Sequence, residues 1–96
     1  MSLRRYAAKR DKVEAEVISA LLLAGCTVEQ LSKKGVPDLL VGFNDPFNNG
    51  LPTNILMEVK SDGGKLTPDQ QEWISNWQGQ VYVVYSIEEA LQAVGR

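Results

Sequence analysis

Hydrophobic positions along the chain fall into two periods, and the switch between them marks its elements. From Leu3 to Leu23 there is no Pro or Gly, and Val13, Val17, Ala20, Leu21 and Ala24 recur at helical spacing. This predicts one long helix, closed by Gly25. The pattern then shortens: Cys26 to Leu31 reads as a strand with Cys26, Val28 and Gln30 on one face, and Leu39 to Phe43 as a second. Asn44 to Asn54 is turn-rich, with a reversal signal at Asn49-Gly50, so the strand after it returns antiparallel as a hairpin. That third strand reads NILMEVK. A turn on Gly63-Gly64 leads to Thr67-Pro68-Asp69-Gln70, in which Thr67 suits an N-cap, Pro68 the first helical position and Gln70 a capping box. This helix is expected to run to about Trp77, with Trp73, Ile74 and Trp77 as its apolar face and Gly79 as its stop. Val81 to Tyr85 reads as a buried strand. Ser86 and Glu89 then repeat the capping pattern before a short helix with Ala90, Leu91 and Val94 turned inward. The order α-β-β-β-α-β-α predicts a compact α/β fold with a mixed sheet flanked by helices, one domain over residues 1–96.

Two carboxylates interrupt this pattern. Asp38 opens the second strand, and Glu58 sits inside the third, two places before Lys60. Residues two apart on a strand share a face, so Glu58 and Lys60 emerge together while Ile55, Met57 and Val59 face the other way. A buried carboxylate is costly unless charges or hydrogen bonds compensate it. The hairpin sets Asp38, near the start of one strand, opposite the end of the next. A hard divalent cation bridging Asp38 and Glu58 would answer the cost; the plainer reading of Glu58-Val59-Lys60 is a solvated pair on an edge strand. Pro37 fixes its own φ and pushes Val36 toward extended geometry, stiffening the approach to Asp38.

Composition narrows the chemistry. The chain has 96 residues, 44% of them hydrophobic and 23% charged, enough for one modest core. No apolar run is long enough to span a bilayer and no signal segment is visible, so a cytoplasmic protein is expected. The single cysteine, Cys26, lies among apolar residues and reads as a core thiol. The absence of histidine removes His-based general base catalysis and His metal sites. A metal site must then be built from oxygen donors, which suits Mg²⁺ or, as a substitute, Mn²⁺. The net charge of −2 argues against a generic nucleic-acid-coating protein. Five of the ten basic residues nevertheless fall in the first twelve positions: Arg4, Arg5, Lys9, Arg10 and Lys12. They read either as a solvated helix start or, with Lys33, Lys34 and Lys65, as a basic rim for phosphates.

Pro37-Asp38, a spacer and Glu58-Val59-Lys60 resemble the signature of the PD-(D/E)xK nuclease superfamily. The GVPD start, the Gly-containing turn and the trailing LTPDQ resemble its virus-type replication-repair nuclease branch, VRR-NUC, over roughly Glu14 to Ser86. The resemblance implies a restriction-endonuclease-like core. It implies Asp38, Glu58, Lys60 and Gln70 as catalytic residues, and a Mg²⁺ held by Asp38, Glu58, the Val59 carbonyl and a glutamate of the first helix. The motif VEAEV favours Glu14 over Glu16 for that role; a surface carboxylate paired with Arg10 is the alternative. Gln70 has two compatible readings, as a cap and as a site residue. Lys60 would position the attacking water, or take its proton.

The implied activity is metal-dependent hydrolysis of DNA phosphodiesters to a 5′-phosphate and a 3′-hydroxyl, in repair or recombination. Stand-alone domains resembling this branch act on branched DNA such as Holliday junctions, and a symmetric junction suits a homodimer, with Trp73, Trp77 and Phe47 as candidate contacts. Other readings are a monomeric nick or flap nuclease, and a non-catalytic nucleic-acid-binding module of the same fold.

Overall fold

The computed structural model describes residues 2–61 and 63–96, with side chains described from Lys12 onward. Helix α1 (Ser2–Leu23) is followed by strands β1 (Thr27–Gln30), β2 (Leu39–Asp45) and β3 (Leu51–Val59), helix α2 (Pro68–Asn76), strand β4 (Val81–Val84) and helix α3 (Ile87–Ala93). The order is the expected one. Gly25, at φ 93°, ends α1: its N–H bonds to Leu22 O at 3.0 Å and that of Cys26 to Leu21 O at 3.0 Å. These two bonds satisfy carbonyls that the last helical turn would otherwise leave open.

The strands form one sheet in the order β1-β2-β3-β4, with β1·β2 and β2·β3 antiparallel and β3·β4 parallel. The parallel pair is joined through α2, as a crossover connection requires. Leu39, Val41, Ile55, Met57, Val59 and Val84 line one face of the sheet and meet Val17 and Leu21 of α1, Ala90 within α3 and Val94 just beyond it. Among the described residues, no member of this buried cluster comes from α2. That helix lies on the second face, where Glu58 and Lys60 point.

Three expectations are corrected. The hairpin has little loose loop. β2 runs on to Asp45, β3 begins at Leu51, and a short 3₁₀ turn, Pro46–Asn48, joins them. Asp45 caps that turn by accepting from Phe47 N at 2.9 Å. Asn49 (φ 55°) and Gly50 (φ 72°) then reverse the chain in the left-handed region. Second, Val81–Val84 is an edge strand bonded only to β3, so only Val84 is buried, and Tyr82 and Tyr85 are 37% and 40% exposed. Third, α2 ends at Asn76 with Trp77 as its C-cap, close to the expected stop, but the tryptophan face is not in the core: Trp77 is 48% exposed.

Cys26 is buried within the cluster at 4% exposure. Burial pushes its thiol above the ordinary range, against a smaller opposing effect of the Arg96 guanidinium. Native protein should therefore resist thiol-reactive dye at pH 8 and react fully only in denaturant; rapid labelling of the native state would contradict the packing of Cys26.

Candidate active site

Pairing of β2 with β3 runs Leu39↔Met57, Leu40↔Leu56 and onward. Extending the register by one pair sets Asp38 opposite Glu58. Directly opposed residues project to the same face with Cβ atoms about 5 Å apart. Asp38 is 7% exposed and Glu58 is fully buried. One Asp38 oxygen, Oδ2, accepts from Val59 N at 2.8 Å. The Val59 amide points toward β2 beyond its last paired residue, and the carboxylate takes the place that a main-chain carbonyl would fill in a longer ladder. A bond from an amide to a charged acceptor contributes about 1.5–3 kcal/mol.

Glu58 carries two further partners on one oxygen. Its Oε2 accepts from Gln70 Nε2 at 3.0 Å, and Lys60 Nζ lies 3.7 Å from the same atom. Lys60 is 7% exposed, and β3 is an inner strand, so the solvated edge pair is excluded. Gln70 completes the expected capping box and also touches Glu58. Its Oε1 accepts from Thr67 N at 2.9 Å while Gln70 N donates to Thr67 Oγ1 at 3.2 Å, completing the capping box. Its amide nitrogen is thereby aimed at Glu58.

Glu14 is buried on α1 at 8% exposure, whereas Glu16 is exposed. Gln30 Nε2 donates to Glu14 Oε2 at 3.0 Å. Gln30 pairs with Leu39, so this bond holds Glu14 at the end of the sheet that carries Asp38. The sequence pattern set the face of Gln30 but gave no sign of this partner, which depends on where α1 crosses β1. Among the basic candidates, Lys33 and Lys65 are exposed, and Lys34 Nζ lies 3.4 Å from Asp69 Oδ2 in a solvated pair. The side chains of Arg4, Arg5, Lys9 and Arg10 lie outside the described residues.

A sequence profile of the VRR-NUC domain matches residues 6–88. The chain belongs to the VRR-NUC family. A solved structure titled VRR_NUC domain is similar to it with a TM-score of 0.67 and 26% identity, over 92% of this chain and 98% of that one. A comparison with curated proteins finds no match. As a VRR-NUC domain the chain is a nuclease-type domain, with DNA binding implied. Among the described residues no helix is long and apolar enough to cross a membrane.

The donors gathered here fit a hard cation. Asp38, Glu58 and the Val59 carbonyl offer only oxygen, the chain has no histidine, and Cys26 is in the core cluster. Among the described residues no three His, Cys, Asp or Glu side chains form a group that could hold a metal ion, so Glu14 does not complete a three-carboxylate cluster as the side chains stand. Mg²⁺ asks for less, since it commonly binds through one or two carboxylates, keeps several waters and takes the rest from substrate phosphate.

Asp38→Asn keeps an acceptor for Val59 N and removes a charge beside Glu58, whereas Asp38→Ala leaves a buried N–H without its acceptor. In chelator, Asp38→Asn should melt above the native protein and Asp38→Ala about 1–3 kcal/mol below Asp38→Asn. Equal melting temperatures for the two variants would remove the Val59 bond from the account.

Proposed function

We propose that this domain is a Mg²⁺-dependent DNA endonuclease selective for branched structure, acting as a homodimer on four-way junctions. The observation that carries the reading is the buried group formed by Asp38, which enters β2 bonded to Val59 N beside Glu58, and by Lys60 against Glu58 and out of solvent. Such a set stays unfavourable in a purely structural protein, where apolar residues of similar volume are usually as stable.

In the proposed site Asp38, Glu58 and the Val59 carbonyl would hold the cation, with Glu14 kept at the same end of the sheet by Gln30. Bound there, Mg²⁺ supplies Lewis acidity to a scissile phosphate oxygen and lowers the pKa of a water. The residues do the remainder. Asp38 is oriented by the Val59 amide, and Glu58 is oriented by Gln70. Lys60 brings a positive charge to the side of Glu58 from which water and phosphate approach, where it positions the water and offsets charge gathering on the phosphate. Lys33, Lys34 and Lys65 are the proposed phosphate contacts at the rim, together with Arg4, Arg5, Lys9 and Arg10. The second subunit is proposed to meet the hairpin tip, where Phe47 and Leu51 are 84% and 52% exposed.

Asp38→Asn, Glu58→Gln and Lys60→Met keep volume at each position. Each should lower cleavage of a labelled junction in Mg²⁺ by roughly a hundredfold or more, with folding checked by circular dichroism. Gln70→Ala should cost more activity than Thr67→Ala, which removes only part of the cap. Native rates in any of the first three would remove that residue from the mechanism. Comparison of junction, flap, nicked and linear DNA tests the substrate class. Light scattering should give about twice the 10.6 kDa chain mass, and a monomer at high concentration would exclude the dimeric junction reading.

A further inference from the structure

Helix α2 is unusual in what it does not bury. It contributes nothing to the core cluster among the described residues, and Gln70 is its only buried residue. Its two tryptophans are stacked on each other, with ring centroids 4.7 Å apart and planes inclined by 17°. Trp73 is half-buried and Trp77 is 48% exposed. With Gln70 they fall at positions i, i+3 and i+7, Trp77 being the C-cap just past the helix, so they continue one stripe along its axis. Gln70 touches Glu58, so the stripe leads directly away from the proposed catalytic carboxylates. At 1.5 Å per residue, the indoles stand about 4–11 Å along the axis from Gln70.

Beside the stripe lies an open cleft of about 310 Å³, with Lys34, Gly35, Glu72, Trp73, Asn76 and Trp77 on its walls. That volume is at the small end of ligand clefts, which begin at about 300 Å³. Its chemistry discriminates between the parts of a nucleotide. Inside the cleft Glu72 and Asp69 disfavour a phosphate, which is left to the rim, where Lys34 lies 3.4 Å from Asp69 Oδ2. An uncharged flat ring suits the cleft: indole offers a stacking face, while the Asn76 amide and the Glu72 carboxylate can meet the donors and acceptors of a base edge. The missing Cβ of Gly79 leaves room for the Trp77 indole, since a methyl group there would lie 2.7 Å from the indole nitrogen and push the ring aside.

We propose that this cleft binds one unpaired nucleobase next to the scissile phosphate, with Trp77 as the stacking platform and Trp73 as its backing. This deepens the nuclease reading and rests on it. The site then selects DNA in which a base near the cut is free to leave the helix, as at a branch point or single-stranded arm, over continuous duplex. The tryptophans are thereby assigned to substrate and not to a second subunit.

Trp73 and Trp77 are the only tryptophans in the chain, so intrinsic fluorescence reports on this cleft. In chelator, where cleavage is stopped, a short single-stranded oligonucleotide or a junction should quench that fluorescence, and a blunt duplex of equal length should not. Trp77→Ala should weaken single-strand binding by about tenfold or more, the effect of losing one base–aromatic stack. Trp77→Phe should restore most of it, and Gly79→Ala should weaken binding while leaving both indoles in the chain. Absence of quenching, equal quenching by blunt duplex, or a concentration-dependent change in fluorescence without DNA would overturn the cleft while leaving cleavage intact. Failure of the native protein both to bind and to cut any DNA would overturn the nuclease reading together with it.

Discussion

Asp38 and Glu58 are held opposite each other by strand register, and the rest of the site depends on that constraint. Register on a pleated sheet is unforgiving, because a slip of one residue moves every side chain to the other face. Here the apolar alternation of Leu39 and Val41 against Met57 and Ile55 fixes it. A core-building pattern therefore aligns two polar residues that lie just outside it. Asp38 then strengthens the alignment, since its bond to the Val59 amide closes the end of the ladder. The same carboxylate closes the ladder and, in the proposed mechanism, would take part in the chemistry.

Glu58 shows how a charge is kept on an interior strand. Its Oε2 receives an amide hydrogen bond from one element and faces an ammonium two residues along its own. Breaking a buried ion pair from one side costs about 3–5 kcal/mol, so removing either Glu58 or Lys60 alone leaves the other uncompensated. Gln70 ties this pair to the first turn of α2 through the capping box. A local rule of helix ends thus delivers a side chain to the centre of the sheet.

Much of this was legible in the sequence, and for identifiable reasons. The two-residue period of Ile55, Met57 and Val59 fixed the faces of β3, and Asn49-Gly50 announced the reversal, so Asp38, Glu58 and Lys60 could be brought together without coordinates. Thr67-Pro68-Asp69-Gln70 specified its own cap. What escaped was long-range. The hairpin arms extend past the core, where polar residues on both faces erase the alternation that marks a strand. The contact between Gln30 and Glu14 spans 16 positions and depends on the crossing of α1 over β1. Trp73, Ile74 and Trp77 have the spacing of a buried face, but periodicity does not say whether the surface they turn toward is occupied.

The attachment of α2 by its first turn has a bearing on how such a domain diversifies. Because the remainder of that helix adds nothing to the buried cluster among the described residues, exchanges at Glu72, Trp73, Asn76 or Trp77 are largely uncoupled from folding. Surface substitutions on this outer arm could then alter what it meets without disturbing the buried strands that hold Asp38, Glu58 and Lys60 in place.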